Sequence, residues 1–178
     1  MKQVLLHCCC APCSAAILEW MLQHDIRPTL FYYNPNIYPY EEYGKRKGEL
    51  THYAAQLGLE VIDGDYHHEQ WLGCVAGHEQ DPERGARCLL CFEMRLRKTA
   101  QEAYDRGFDT IATTLASSRW KRLDQIEEAG RRAVAGFEGV DFWAKNWRKD
   151  GLQERRNELL KQNNFYNQLY CGCEFSMR

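Results

Sequence analysis

The hydrophobic positions change period several times along the chain. Residues 4–7 form a short, nearly continuous apolar run, the pattern of a strand buried on both faces of a parallel sheet. Residues 14–24 follow with Ile17, Leu18, Met21 and Leu22 on one stripe, which predicts a helix. Residues 29–33 read as a second strand. Residues 40–58 carry Tyr43, Leu50, Ala54 and Leu57 at helical spacing until Gly58 ends the pattern. A third strand is expected at 59–63. The stretch 64–87 is polar, rich in His and Gly, and has no clear period. Helix returns at 91–106 with Phe92, Leu96, Ala100 and Ala103 inward, and Gly107 stops it. Residues 110–114 predict the fourth strand, 123–135 a helix, 140–144 a fifth strand and 152–162 a last amphipathic helix. An aromatic, cysteine-bearing tail at 165–178 closes the chain.

Strands alternating with helices at these lengths predict an open parallel α/β sheet, because each parallel crossover needs a helix. With 178 residues, one α/β catalytic domain over 1–178 is expected, the tail of 161–178 packed on it. The chain is 44% hydrophobic and 27% charged and has no apolar run near the ~18 residues of a membrane span, so membrane-spanning and disordered classes are excluded. The start, MKQVLLHCCC, lacks the pattern of a signal peptide, and a reducing cytoplasm is expected. In such sheets ligands bind beyond the carboxyl ends of the strands, where the first strand-helix loop opens a crevice. Here that loop is Cys8-Cys9-Cys10-Ala11-Pro12-Cys13. It has no glycine to wrap a phosphate, which argues against ATP.

Charge is unevenly spread. Residues 1–83 hold 5 basic and 12 acidic side chains, whereas 84–178 hold 18 basic and 13 acidic. The near-neutral total thus hides a basic half, and Arg119, Lys121, Arg122, Arg131, Arg132, Lys145, Arg148, Lys149, Arg155 and Arg156 are either a phosphate-binding footprint or solvated helix faces.

Eight of the nine cysteines fall into three clusters: Cys8, Cys9, Cys10 and Cys13; Cys88 and Cys91; Cys171 and Cys173. Cys74 stands alone and reads as structural. Cys88 and Cys91 form a C-x-x-C at an expected helix start beside Arg84 and Arg87, where the helix dipole and the guanidinium charges favour thiolates. Together with Cys9 and Cys10 they supply four thiolates from two crevice-facing segments, enough for zinc or for a [4Fe-4S] cluster. Adjacent cysteines at the mouth of an α/β crevice favour the cluster, since structural zinc is usually closed by two loop knuckles. Cys8 is expected to face inward, and Cys13 to assist this site or to hold a second metal. Cys171-Gly172-Cys173 has the spacing of a strained, easily reduced disulfide.

On these residues the chain resembles the cobalamin-independent epoxyqueuosine reductase family. His7-Cys8-Cys9-Cys10-Ala11-Pro12-Cys13 fits the family's H-x-C-C-A-P-C signature. Asn34-Pro35-Asn36-Ile37 with Glu42, Tyr43 and Arg46 comes next, then Pro82 to Cys88 through Cys91-Phe92, then Thr113-Thr114-Leu115 with Ser117, Ser118 and Lys121. The tail Gln168-Leu169-Tyr170-Cys171-Gly172-Cys173 completes the match.

The resemblance implies a Rossmann-like domain of the adenine nucleotide alpha-hydrolase-like architecture. It implies an oxidoreductase that removes the epoxide oxygen of epoxyqueuosine at the wobble position of tRNAs with GUN anticodons, giving queuosine and water, the last step of queuosine synthesis. It also implies a [4Fe-4S] cluster on Cys9, Cys10, Cys88 and Cys91 and a redox pair in Cys171 and Cys173, and it leaves open an additional iron near Cys13 and zinc in aerobic preparations. An electron donor is needed. His7, Tyr170 and Glu83 are candidate proton donors, and Asn34, Asn36, Glu42, Arg46 and Lys121 are candidate substrate contacts. The competing reading is a zinc-stabilised RNA-binding module without catalysis, which has no use for Cys171 and Cys173.

Overall fold

The computed structural model describes residues 2–177; Met1 and Arg178, the two ends of the expected domain range and the last residue of the expected tail, lie outside the described residues. Five parallel strands, β1 (Val4–His7), β2 (Thr29–Tyr32), β3 (Val61–Asp63), β4 (Thr110–Thr113) and β5 (Asp141–Phe142), form one sheet in the order β3-β2-β1-β4-β5. The helices are α1 (Ala11–Gln23), α2 (Tyr40–Gln56), α3 (His68–Cys74), α4 (Ala86–Arg106), α5 (Leu123–Val134) and α6 (Leu152–Gln162). This is the open, parallel α/β architecture that the alternation predicts, and it is Rossmann-like, as the resemblance implies.

Side-chain alternation along the strands builds two cores. Val4, Leu6, Leu30, Tyr32 and Ala112 face Leu18 and Met21 of α1, Leu50 of α2 and Leu159 of α6. Leu5, Phe31, Ile62 and Ile111 face Leu96 and Ala100 of α4 and Ile126 and Ala129 of α5. Each such Leu or Ile, closed off from water, contributes roughly 1.5–3 kcal/mol, so strand register is firmly fixed. The sheet is thereby rigid where its central strands β1 and β4 deliver their C-terminal loops.

Two helices start earlier than the apolar period suggests, and both shifts matter for the chemistry. Helix α1 begins at Ala11 because Pro12 suits a first helical turn, where its missing N–H costs nothing. Ser14, the expected first residue, is inside the helix with its hydroxyl donating to the Cys10 carbonyl at 2.6 Å. Helix α4 begins at Ala86 with Gly85 at its N-cap, so Cys88 and Cys91 both lie inside its first turns, three residues apart and on one face. Helix α3, in the stretch without a period, is too short for periodicity to register.

Candidate functional site

The loop after β1 carries the first sulfur group. Cys8 is fully buried, as expected, and its Sγ lies 3.5 Å from the Leu6 carbonyl. Cys9, Cys10 and Cys13 turn together, with their sulfurs all within 4.8 Å of one another. The Cys9 and Cys10 sulfurs are 3.8 Å apart. Two thiolates bound to one tetrahedral ion at roughly 2.3 Å stand about 3.8 Å apart, so this spacing already suits a single metal. Thr114, just past β4, fixes Cys9 by accepting from its backbone N–H at 3.2 Å and meeting its sulfur at 3.5 Å.

The electrostatics of the three are unequal. Hydrogen bonds from Cys10 and Cys13 hold the Cys9 thiol well below its usual range, with help from the Lys121 charge. Burial pushes Cys10 up, and Cys13 is also raised. One thiolate flanked by two thiols is what this arrangement favours, and a divalent cation would take the place of the two protons.

The second group forms where α4 meets the C-terminal tail. Cys88, Cys91, Cys171 and Cys173 border one cavity of ≈ 20 Å³ together with Asn36, Trp71, Arg87, Phe92 and Arg95. The expectation that the helix dipole and the arginines leave Cys88 and Cys91 as thiolates is corrected here. Burial dominates, pushing Cys88 to about 11 and raising Cys91. Arg87 is engaged with main-chain carbonyls, donating to Glu79 at 3.3 Å and Asp81 at 2.5 Å.

Of the four expected cluster ligands, Cys88 packs against the buried core cluster that includes Cys9, Cys10 and Cys13. Cys9 and Cys10 are gathered with Cys13, and Cys88 and Cys91 border one cavity with Cys171 and Cys173. Among the described residues, Cys9, Cys10 and Cys13 are the group close enough for one ion. A cubane cluster, with irons at separate corners, spreads its thiolates more widely. Lys121, buried with its Nζ 3.2 Å from Ser118 Oγ, interacts with the charges of Cys171, Cys9 and Cys13, members of both groups.

Surplus positive charge surrounds these sulfurs. Arg87 and Arg95 are 1% and 2% exposed, yet Arg87 Nε and Nη2 and Arg95 Nε have no partner. Buried guanidinium N–H groups facing thiols fit an anionic metal-thiolate group, whose charge would complete them. Arg95 was not apparent from the apolar stripe. Its signal is a charge four residues after Cys91 on the buried face of α4.

The expected substrate contacts Asn34, Asn36, Glu42 and Arg46 lie around these sulfur groups. Asn34 is fully buried, its Nδ2 donating to the Cys8 carbonyl at 2.9 Å and its Oδ1 accepting from Arg95. Asn36 borders the Cys88–Cys173 cavity, and its Oδ1 has no partner. Glu42 and Arg46 are ion-paired at 3.1 Å, and Arg46 also donates to the carbonyls of Cys171 at 2.9 Å and Tyr170 at 3.1 Å. This pair grips the cysteine-bearing tail.

His7 is held neutral, its pKa lowered to about 3 by burial and by the Arg95 charge. Its Nε2 donates to the Tyr33 carbonyl and its Nδ1 accepts from the Thr113 hydroxyl, both at 2.9 Å, which leaves no nitrogen for proton transfer. Cys74 lies exposed on α3. Of the basic residues, Arg131, Arg132 and Arg155 pair with glutamates on helix faces, which for these favours the solvated reading.

The family model for "Epoxyqueuosine reductase QueH" matches residues 4–178. A curated protein of that name from Haemophilus influenzae is 44% identical over 177 residues, covering 99% of this chain and 72% of the relative. One from Acinetobacter baylyi is 42% identical over 176 residues, covering 99% and 81%. One from Thermotoga maritima is 38% identical over 180 residues, covering 99% and 91%. A match through both sulfur groups, the loop of Asn34 and the gripped tail leaves no element of the site outside the likeness, and the chain belongs to the epoxyqueuosine reductase QueH family.

Proposed function

We propose that the chain is an epoxyqueuosine reductase, an oxidoreductase that takes the epoxide oxygen from epoxyqueuosine at the wobble position of tRNAs with GUN anticodons and leaves queuosine and water. The observation that carries this reading is the pair of sulfur groups whose charges both reach the buried Lys121. A zinc-stabilised RNA-binding module would need one of them and leave the other without a purpose, and membership of a reductase family speaks against it.

Cys9, Cys10, Cys88 and Cys91 would hold a [4Fe-4S] cluster, and Cys13 would assist it or bind an additional iron. When bound, such a cluster supplies one-electron transfers at low potential. Removing an epoxide oxygen takes two electrons and two protons. The thiols of Cys171 and Cys173 can give both: their two S–H bonds break, one S–S bond forms, and the oxygen leaves as water while the carbon-carbon double bond forms. Burial raises the Cys173 thiol and so keeps its proton on at neutral pH. A second donor, a small dithiol or a reduced electron-transfer protein, then resets the pair.

Arg46 holds the turn of residues 170–173 in place through the Tyr170 and Cys171 carbonyls, and Lys121 offsets negative charge on both sulfur groups. With His7 neutral and fully bonded, the thiols are the proton source this reading uses.

The test is anaerobic purification with iron, sulfide and zinc analysis, followed by incubation with epoxyqueuosine-containing tRNA and nucleoside analysis. Near four iron and four sulfide per chain and conversion to queuosine are expected, with turnover lost in Cys171→Ser while tRNA binding is retained. One zinc, no sulfide and no conversion would overturn the reading.

A further inference from the structure

A cavity of ≈ 190 Å³ opens between α5, the end of β4 and the segment after β5, at the carboxyl end of the sheet. Phe142, Trp143 and Trp147 contribute aromatic walls, with Leu123 and Ile126 of α5 opposite. The Trp143 and Trp147 rings meet edge to face at 5.3 Å. Phe142 lies flat on α5, because Gly130 beneath it has no side chain; a Cβ there would come within 2.5 Å of the ring. The slot between aromatic and aliphatic walls is thus held open by packing. Lys145, Asn146 and Glu127 give its rim charge and hydrogen-bonding groups.

Two basic segments flank the slot. One runs from Ala116 to Leu123, both lining residues, and carries the exposed Arg119 and Arg122, while Lys121 between them is buried and serves the sulfur groups. The other carries Lys145, Arg148 and Lys149 after β5, and Arg148 donates to the Lys121 carbonyl at 2.6 Å, joining the two. The slot also adjoins the sulfur site. Thr113 lines it and bonds His7, while the next residue, Thr114, holds Cys9.

We propose that this cavity receives one unstacked base of the same RNA loop that presents the reacting nucleoside, with the neighbouring phosphates on the two basic segments. Planar apolar walls, a polar rim and flanking cations are what a single-stranded base and its backbone require. The inference rests on the reading of the chain as an enzyme acting on tRNA and names a second contact on that substrate.

The test uses the metal-loaded protein and an unmodified anticodon stem-loop RNA with a GUN anticodon, beside versions abasic at one loop position each. Trp143→Leu should bind the intact hairpin about tenfold more weakly, the scale of one lost base-aromatic stack. One abasic position should weaken wild-type binding by a similar factor and add nothing on Trp143→Leu. Unchanged metal content and melting temperature establish that the variant folds. Photocrosslinking of wild-type protein to hairpins carrying 5-iodouridine, position by position, gives a second reading that needs no variant, and the crosslinked peptide should contain Phe142, Trp143 or Trp147. Hairpin binding with independent losses at every position and crosslinks elsewhere would overturn the cavity proposal alone. No binding to the wild-type protein would overturn the tRNA reading with it.

Discussion

The Arg95 guanidinium donates through Nη2 to the Oδ1 of Asn34 at 2.5 Å, while its Nη1 lies 3.7 Å from the Cys91 sulfur. Because Asn34 in turn holds the Cys8 carbonyl, a chain of polar contacts links the cysteines of α4 to those of the β1 loop. Arg95→Met should destabilise the metal-loaded protein by roughly 1–3 kcal/mol, since Asn34 loses its donor in a fully buried site. In metal-free protein the same change also removes a buried, partly unpartnered cation, so the cost there should be smaller. Denaturant midpoints of loaded and stripped protein, wild type and variant, measure the difference; equal costs would separate Arg95 from the metal site.

Gly172 sits between the two tail cysteines at φ +145, and a Cβ there would lie 3.2 Å from Arg46 Nη1 and 3.3 Å from both Asn36 and Ile37. Gly172→Ala must therefore strain the backbone and push on the residues that grip the tail, at a cost of about 1–3 kcal/mol. The expected outcome is faster alkylation of Cys171 and Cys173 in the folded protein, followed by mass spectrometry of the C-terminal peptide. Unchanged alkylation would mean that the turn does not depend on this glycine.

Cobalt titration of metal-free protein carrying Cys88→Ala and Cys91→Ala should still show one thiolate-bound ion, held by Cys9, Cys10 and Cys13. Adding Cys13→Ala should abolish it. With Cys9 lowered and Cys10 and Cys13 raised, each ion should release about two protons near neutral pH, and affinity should climb with pH. Proton release measured in weakly buffered solution checks the count.

Arg155 of α6 clasps Glu19 of α1 with two hydrogen bonds of 2.7 Å, which lowers the Glu19 carboxyl below its ordinary value. A depressed carboxylate contributes stability above its unfolded pKa, near 4.5, and that stability is lost as pH falls through the folded value. The pair is about a third exposed, so solvent screens it and Arg155→Gln should remove only a small part of the stability at neutral pH. The cost should fade as pH falls through the lowered folded value of the carboxyl. Melting curves of both proteins at neutral and acid pH decide it, and an equal cost at both would assign Arg155 a packing role.

Strand β1 and helix α6 have the boundaries that the pattern of apolar positions predicts, because each is bounded by a sharp change of period. The starts of α1 and α4 are set instead by Pro12 and Gly85, while the apolar stripe begins a turn later. The cysteine pairs are legible as pairs. Their grouping is not, since it depends on where the tail lands, and that is decided by Arg46 holding carbonyls more than a hundred positions away. Periodicity likewise says nothing of Asn34, Glu42 and Arg46 being enclosed, because polar residues after a strand or on a helix look the same whether they face a ligand or another part of the chain.

Helix α4 runs for 21 residues, about 30 Å, with Cys88 and Cys91 in its opening turns and Tyr104 resting on Phe137 near its close. The two sulfurs ride on one stiff rod, so they shift together or not at all. A displacement at the sulfur end is therefore carried along the axis to the Tyr104 ring, which is 54% exposed and open to a solution probe. The molecule thus offers a gauge for events at its cysteine-bearing end on a surface a helix length away.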